Sequence, residues 1–250
     1  MNPTLSEKDI SNIKRDWANA APLDGPKRIN KKRRTNKSMR ILVTAGPTRE
    51  FIDPVRFISN PSTGHMGYVL AKAAKKKNHR VTVVSGPVKL KPPKGVKIIN
   101  TVTAAEMSKA VKRQFKKADC LIMSAAVCDF KPQTAHKHKI KKKVSKRKLS
   151  LIRNPDILLW AGRNKQKRIV VGFCLESKGL IKSAKQKLKA KNADIMVANR
   201  IDKQTTVFGN RPTEVSILEN NSVERIGPES KEKIAQILLD KIEGLWYRKT

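Results

Sequence analysis

The chain reads as an α/β protein: a Rossmann-like doubly wound, mostly parallel sheet with a Lys-rich flap and a C-terminal hairpin plus helix. Three observations predict this. Short, continuous apolar runs recur along the sequence, as they do in parallel strands buried on both faces. Segments with helical period fill the gaps between them, and repeated β-α units favour a doubly wound sheet. The first apolar run, Ile41-Leu42-Val43, leads through a Gly/Ser/Thr-rich loop into a helical pattern with Met66, Leu70, Ala73 and Ala74 on one face. Strand, loop and helix joined in this way hold phosphate, because free backbone N–H groups and the positive helix end face the anion.

The elements follow in order. Residues 1–38 carry ten Lys and Arg against four Asp and Glu and end near the basic cluster Lys31-Lys32-Arg33-Arg34. They read as a flexible tail, followed by one domain over 39–250. Met39, directly before the first strand, is a candidate functional start. Strands are expected at Arg40–Ala45, Arg80–Ser85, Val96–Ile99, Cys120–Ala125, Ile169–Phe173 and Ile195–Ala198. A helix spans about 104–117, opened by the capping box Thr103-x-x-Glu106. Another starts near Pro155 with Asn154 as its cap. A third runs from about 180 to 192. A hairpin (Glu214–Leu218 with Ser222–Ile226) and a helix from Glu229 to about Leu245 close the chain. Between Lys131 and Lys148 the sequence is dense in Lys and poor in apolar residues, so it reads as a mobile flap, not core.

Composition limits the function classes. The net charge of +36 over 250 residues attracts polyanions or acidic small substrates. Aromatic residues are only 4%, too few for a base-stacking platform, so a solvated basic surface is an equal reading and no specific nucleic acid is expected. No apolar run is long enough for a membrane span, and no signal-peptide pattern follows Met1. Cys120, Cys128 and Cys174 lack C-x-x-C spacing and read as reduced, mostly buried thiols of a cytoplasmic protein. His65, His79, His136 and His138 show no metal-ligand spacing.

Four segments can carry chemistry. The first runs from Thr44-Ala45-Gly46-Pro47-Thr48-Arg49-Glu50 to Arg56-Phe57-Ile58-Ser59-Asn60-Pro61-Ser62-Thr63-Gly64-His65-Met66-Gly67. It matches neither the P-loop nor the dinucleotide fingerprint. Gly64 and Gly67 permit close approach to a ligand, or equally close helix–strand packing. Asn60 is a residue that a plain phosphate cradle does not need. The second is Ser124-Ala125-Ala126-Val127-Cys128-Asp129, where small residues at a strand's carboxyl end leave room for a ligand. Asp129 there suits a ligand contact or a helix cap. The third, Lys139-Ile140-Lys141-Lys142, places ammonium groups on the flap, where they can neutralise phosphate charge or merely be solvated. The fourth is Asn154-Pro155-Asp156-Ile157, Gly172-Phe173 with Glu176, then Lys187 and Lys191. The two lysines share a helix face and repel mildly unless an anion lies between them.

Together, in this order and over residues 40–243, these segments resemble the phosphopantothenate–cysteine ligase family of coenzyme A biosynthesis. The shared motifs are T-A-G-x-T-R-E, D-P-V-R-F-I-S-N-x-S-[ST]-G-x-M-G, A-A-V-x-D, K-I-K-K, N-P-D-I, V-G-F-x-x-E and K-x-x-x-K-x-A-D-x-[IM]-V-A-N. The resemblance implies joining of 4'-phosphopantothenate to L-cysteine with CTP and Mg²⁺, through an acyl-cytidylate, releasing PPi and CMP. It implies a homodimer. It gives Asn60 and Lys139 as catalytic positions. Gly46, Ser62, Gly64, Gly67, Met123, Ser124, Ala125, Asp129, Lys139, Asn154, Pro155, Asp156, Ile157, Phe173, Lys187 and Lys191 become nucleotide positions. Asn60, Ala125, Ala126 and Asp129 become substrate positions, and no metal ligands are assigned. The chain departs from the family pattern at His65, where Lys or Arg is frequent, at Cys128 for Ala, and at Cys174, Leu175 and Ser177. Many relatives carry a flavin-dependent decarboxylase first; 38 residues cannot hold it, so no FMN is expected. The competing readings are a basic nucleic-acid-binding protein and an NAD(P)-dependent oxidoreductase, the latter opposed by the missing G-x-G-x-x-G.

Overall fold

A computed structural model describes residues 38–141, 146–201, 209 and 211–249. The N-terminal tail expected over 1–38 lies outside the described residues except for Ser38, and Lys142 of the flap motif lies outside them too. Within the described residues the strands are β1 (Arg40–Ala45), β2 (Arg49–Phe51), β3 (Phe57–Ser59), β4 (Arg80–Ser85), β5 (Lys97–Asn100), β6 (Cys120–Met123), β7 (Phe130–Pro132), β8 (Leu151–Arg153), β9 (Ile169–Glu176), β10 (Ile195–Arg200), β11 (Thr213–Glu219) and β12 (Ser222–Glu229). The helices are α1 (His65–Lys76), α2 (Ala104–Phe115), α3 (Ile157–Arg163), α4 (Leu180–Ala190) and α5 (Lys231–Lys249). No described helix is long and apolar enough to cross a membrane.

Eight strands form one sheet in the order β12-β11-β10-β9-β6-β1-β4-β5. The six strands from β10 to β5 are parallel, and β11 and β12 add an antiparallel edge. Counted among the parallel strands alone, the order is that of a doubly wound sheet, and it reverses between β1 and β6. Ligands bind such sheets at that reversal, outside the carboxyl ends of the strands.

Alternation along the strands supplies two cores. Val43, Ile122, Val171 and Val197 face one way and pack under α1 and α5. Leu42, Leu121, Val170 and Met196 face the other way, against α2, α3 and α4. Full burial of each such side chain is worth about 1.5–3 kcal/mol, which is why these runs contain almost no polar residue.

Local chemistry sets most boundaries. α2 begins as expected: Thr103 Oγ1 accepts from Glu106 N–H at 3.2 Å, while Glu106 Oε2 accepts from Val102 N–H at 2.8 Å. α1 has no side-chain cap; Gly64 precedes it in the left-handed conformation, at φ 77°. The loop hydroxyls reach this start from outside the cap position: Ser62 Oγ accepts from Gly64 N–H at 3.3 Å and Thr63 Oγ1 from His65 N–H at 3.4 Å. The helix ends where Asn78 turns left-handed, at φ 63°.

Several boundaries differ from the sequence reading. α3 is capped by Asp156, not Asn154: Asp156 Oδ1 accepts from Leu159 N–H at 2.8 Å, while Asn154 is drawn away to Cys128 O. β6 ends at Met123, because Ser124 and Ala125 leave the sheet to bond Thr44. α4 stops at Ala190 with Lys191 as its C-cap, α2 stops at Phe115, and α5 runs on to Lys249. β5 lies one residue later than expected, while β9 and β10 run further at their carboxyl ends. The hairpin strands are also longer, at Thr213–Glu219 and Ser222–Glu229. The expected flap begins inside β7, which pairs with β8 as a two-stranded ribbon. β2 and β3 form a second such ribbon.

Candidate active site

A cleft of about 200 Å³ opens at the reversal of strand order. One wall is the start of α1, with Ser62, Thr63, Gly64, His65 and Met66. The loop after β6 forms the floor, with Ser124, Ala125 and Ala126. The far wall takes Phe173 from β9, Asn199 from β10, Thr213 from β11 and Lys231 from α5.

Two loops are tied together to make this floor. Ala126 N–H donates to Gly46 O at 2.9 Å and Thr48 N–H to Ala126 O at 3.3 Å. Ser124 Oγ donates to Thr44 O at 2.6 Å, and Ala125 N–H to Thr44 Oγ1 at 3.1 Å. Buried Thr48 accepts from Cys128 N–H at 3.0 Å. Asn60 closes the joint: its Nδ2 donates to Ala126 O at 3.1 Å, leaving a second N–H on the same nitrogen. The Asn that fits no phosphate cradle thus sits against the loop after β6.

The glycines divide by role. A Cβ on Gly64 would stand 2.7 Å from Val88 Cγ1 and 3.2 Å from Gly46, so both glycines pack backbone on backbone. Gly64 lines the cleft; Gly46 supports it from behind. A Cβ on Gly67 would stand 2.5 Å from Ala45 Cβ and 2.8 Å from Ser124 Oγ. Gly67 therefore serves helix–strand packing. Met123 is buried, with Thr44 Oγ1 donating to its sulfur at 3.6 Å.

The remaining expected residues lie beside the cleft. Asn154 Nδ2 donates to Cys128 O at 2.9 Å, and its Oδ1 is buried with no hydrogen-bond partner among the described residues. Ile157 is core, Pro155 is exposed, and Asp156 pairs with Lys191. Lys187 Nζ lies 2.6 Å from Glu176 Oε1, and the hydrogen bond to that carboxylate raises its pKa. Each lysine of this pair is thus matched to its own carboxylate, so no anion between the two is needed. Asp129 and, on the flap, Lys139 are exposed and outside the cleft lining.

Sequence reasoning missed Lys231, Thr213 and Asn199. Lys231 is only 5% exposed, and burial lowers its pKa against the opposing pull of Glu232. A buried ammonium beside a helix start suits an anionic ligand. Its only sequence signal was a position at the start of the last helix. His65 was noted only as a departure; its Nε2 is buried and without a hydrogen-bond partner among the described residues, on the same cleft wall. The cysteines are free and buried, as expected. Burial pushes the Cys174 thiol up to about 11, with Lys187 opposing it, so this cleft residue stays a neutral thiol near pH 7.

A doubly wound sheet with a cleft at its reversal, floored by small residues and walled by a helix start that follows a left-handed glycine, defines a Rossmann-like protein with a cleft where such sheets bind ligands. The chain belongs to the DNA/pantothenate metabolism flavoprotein C-terminal domain family, whose pattern it matches over residues 36–245. It is 42% identical over 206 residues to the coenzyme A biosynthesis bifunctional protein CoaBC of Borreliella burgdorferi, covering 81% of this chain and 52% of that protein. To the CoaBC of Bacillus subtilis it is 42% identical over 207 residues, 82% of this chain and 51% of the relative. The chain thus spans about half the length of the curated relatives it matches. The crystal structure of a CoaBC C-terminal domain superposes with a TM-score of 0.72 at 34% identity, covering 84% of this chain and 96% of that one.

Proposed function

We propose that the chain is a phosphopantothenate–cysteine ligase. The observation that carries this reading is the Asn60 amide docked on the carbonyl of Ala126, a residue of the cleft that also holds the start of α1. A carboxylate has no good leaving group, so it must be activated before an amine can displace one. In this reading the phosphopantothenate carboxylate attacks the α-phosphate of CTP, PPi leaves, and an acyl-cytidylate forms. The cysteine amine then attacks the acyl carbon, loses a proton and expels CMP. Asn60 donates its second N–H to the acyl oxygen as charge builds there, without titrating near neutral pH.

Ser62, Gly64 and the first N–H groups of α1 receive phosphate oxygens, and Lys231 and His65 add donors on the same cavity. Phe173 offers a face to the nucleotide. Ala125 and Ala126 leave room for the acyl chain, with Asp129 at its mouth. Asn154, Asp156, Lys187 and Lys191 frame the base. Among the described residues no three His, Cys, Asp or Glu side chains gather as a metal cage. In this reading magnesium enters with the nucleotide, held mainly by its phosphates, as Mg²⁺ commonly is.

We further propose a cytoplasmic homodimer. Phe51, Val55, Phe57, Phe130, Leu149, Leu151 and Ile152 are exposed on or beside the two ribbons, an apolar surface suited to a second copy.

Pyrophosphate release, assayed with phosphopantothenate, cysteine and each nucleotide in turn, tests the reading. CTP-dependent release is expected, with ATP weaker; equal use of both contradicts the CTP preference, and no release with any nucleotide contradicts the ligase. Asn60→Asp is expected to keep pyrophosphate release but slow ligation by about 10²–10³-fold, with an acyl-nucleotide accumulating. Normal product formation would remove Asn60 from this role.

A further inference from the structure

The two carboxylate oxygens of Asp53 do different work. Asp53 lies in the turn between β2 and β3, and its side chain is 0% exposed. Oδ1 accepts from the backbone N–H groups of Val55 and Arg56, each at 2.8 Å, and so shapes its own turn. Oδ2 reaches a segment far away in sequence: it accepts from Ile140 N–H at 3.2 Å and from Arg56 Nη1 at 2.9 Å. Arg56 Nη1 also lies 3.5 Å from Ile140 O. Both backbone polar groups of Ile140 are thus held by the β2–β3 turn. A second tie, His136 N–H to Ile52 O at 2.9 Å, runs beside the first.

A buried carboxylate costs stability unless donors surround it. Burial pushes the Asp53 carboxyl up, but the N–H groups of Val55, Ile140 and Arg56 and the Arg56 charge outweigh it and hold it below the usual range. Ile140 stands directly between Lys139 and Lys141. Lys139 is exposed, so the anchor on its neighbour's backbone sets where its ammonium can reach.

We propose that Asp53 is the positioning residue for the flap lysine, holding Lys139 at its working position through Ile140 while also fixing Arg56. This rests on the ligase reading and assigns Asp53 no contact with substrate.

Asp53→Asn separates the two oxygens. The amide oxygen still accepts from the turn, whereas an NH₂ group in place of Oδ2 cannot accept from Ile140 or Arg56. The variant is expected to lower kcat about tenfold, a loss of one well-placed interaction, with KM for cysteine little changed. In a Lys139→Gln background it is expected to cost almost nothing further, because the lysine it positions is already gone. Additive losses in that double variant would overturn the proposal. Amide exchange is the second readout: residues 136–141 are expected to exchange at least about tenfold faster, with β1 and β6 unchanged. Unchanged exchange at Ile140 would overturn the anchor. Ile140→Pro removes the same N–H while leaving the Asp53 side chain in place, and it is expected to lower kcat alike and to speed exchange at the remaining amides of 136–141, so the test survives if Asp53→Asn does not fold. If the wild type shows no nucleotide-dependent ligation, the ligase reading fails and with it the role of Lys139, while the exchange experiment still decides whether the anchor exists.

Discussion

The central sheet and the two ribbons are built on opposite plans. The sheet strands are apolar on both faces, and side-chain packing above and below holds them: Leu121 and Ile122, adjacent in β6, each serve a different core. The ribbons have three residues per strand and apolar side chains facing outward. Polar side chains on backbone hold them instead. Glu50, only 3% exposed, accepts from Ala104 N–H at 2.8 Å and ties β2 to the start of α2. Asp53 ties the β2–β3 turn to the flap, and Ser59 Oγ donates to Thr48 O at 2.8 Å. Packing makes the frame, and directed hydrogen bonds tie the ribbons and the flap to it.

If that contrast holds, damage to the sheet should be large and spread through the fold. Leu121→Ala, at a fully buried site, is expected to lower unfolding free energy by about 2–5 kcal/mol in urea melts. A loss below ~1 kcal/mol would show the core there to be loosely packed. Gly67→Ala tests the joint between frame and cleft. Its methyl group would press on Ala45 and Ser124, so about 1–3 kcal/mol of overpacking is expected, together with weaker nucleotide binding, as Ser124 and the start of α1 are pushed apart.

The same contrast explains what could be read in the sequence. β1, β4 and the starts of β6, β9 and β10 were legible because continuous apolar runs encode burial on both faces. The Thr103-x-x-Glu106 cap was legible because its partners are three residues apart. The ribbons were not, because three residues per strand give no periodicity, and for β7 the partner lies about twenty residues further along the chain. Asn154 was read as a local cap, but Cys128 O, 26 residues away, wins its side chain and leaves the cap to Asp156. Of the positions that the family motifs name, Ser62, Gly64, Ala125 and Phe173 line the cleft, and Asn60 bonds to Ala126 beside it. Lys231 and Thr213 were invisible because only the antiparallel edge and α5 bring them to the cleft, whereas Asn199, on the parallel strand β10, ends the quoted V-A-N motif but was given no role.

The joint between α1 and α5 gives a smaller effect with a defined pH dependence. Glu243 accepts from Lys77 Nζ at 2.7 Å and from His79 Nε2 at 2.9 Å, while Met39 N–H donates to His79 Nδ1 at 3.3 Å. Burial raises the Glu243 carboxyl pKa, but the His79 and Lys77 hydrogen bonds outweigh it and hold it below its ordinary 4.5. A carboxyl depressed in the folded state stabilises fully above its unfolded pKa and loses that contribution as pH falls toward the folded one. Glu243→Gln is therefore expected to melt below wild type at pH 7, with the gap closing below about pH 4.5. A gap independent of pH would assign the loss to packing instead of charge.

The smallest expected effect on the fold is at the ribbons, and it is the sharpest test of the contrast. Phe57 is 40% exposed and meets only an edge-on Phe51 ring, at 5.8 Å, and the Arg49 guanidinium, at 4.6 Å, among the ring contacts described. Leu151 is 45% exposed. Replacing both by Ser removes little buried surface from a single chain, so its unfolding free energy should change by no more than about 0.5 kcal/mol per site. If a second copy covers the ribbons, the same change should weaken self-association by at least about tenfold in sedimentation equilibrium. Loss of ligation would accompany it only if the partner completes the site. Large destabilisation of the single chain with unchanged association would make the ribbons part of the frame after all, because their side chains would then be stabilising the fold itself and not a contact between copies.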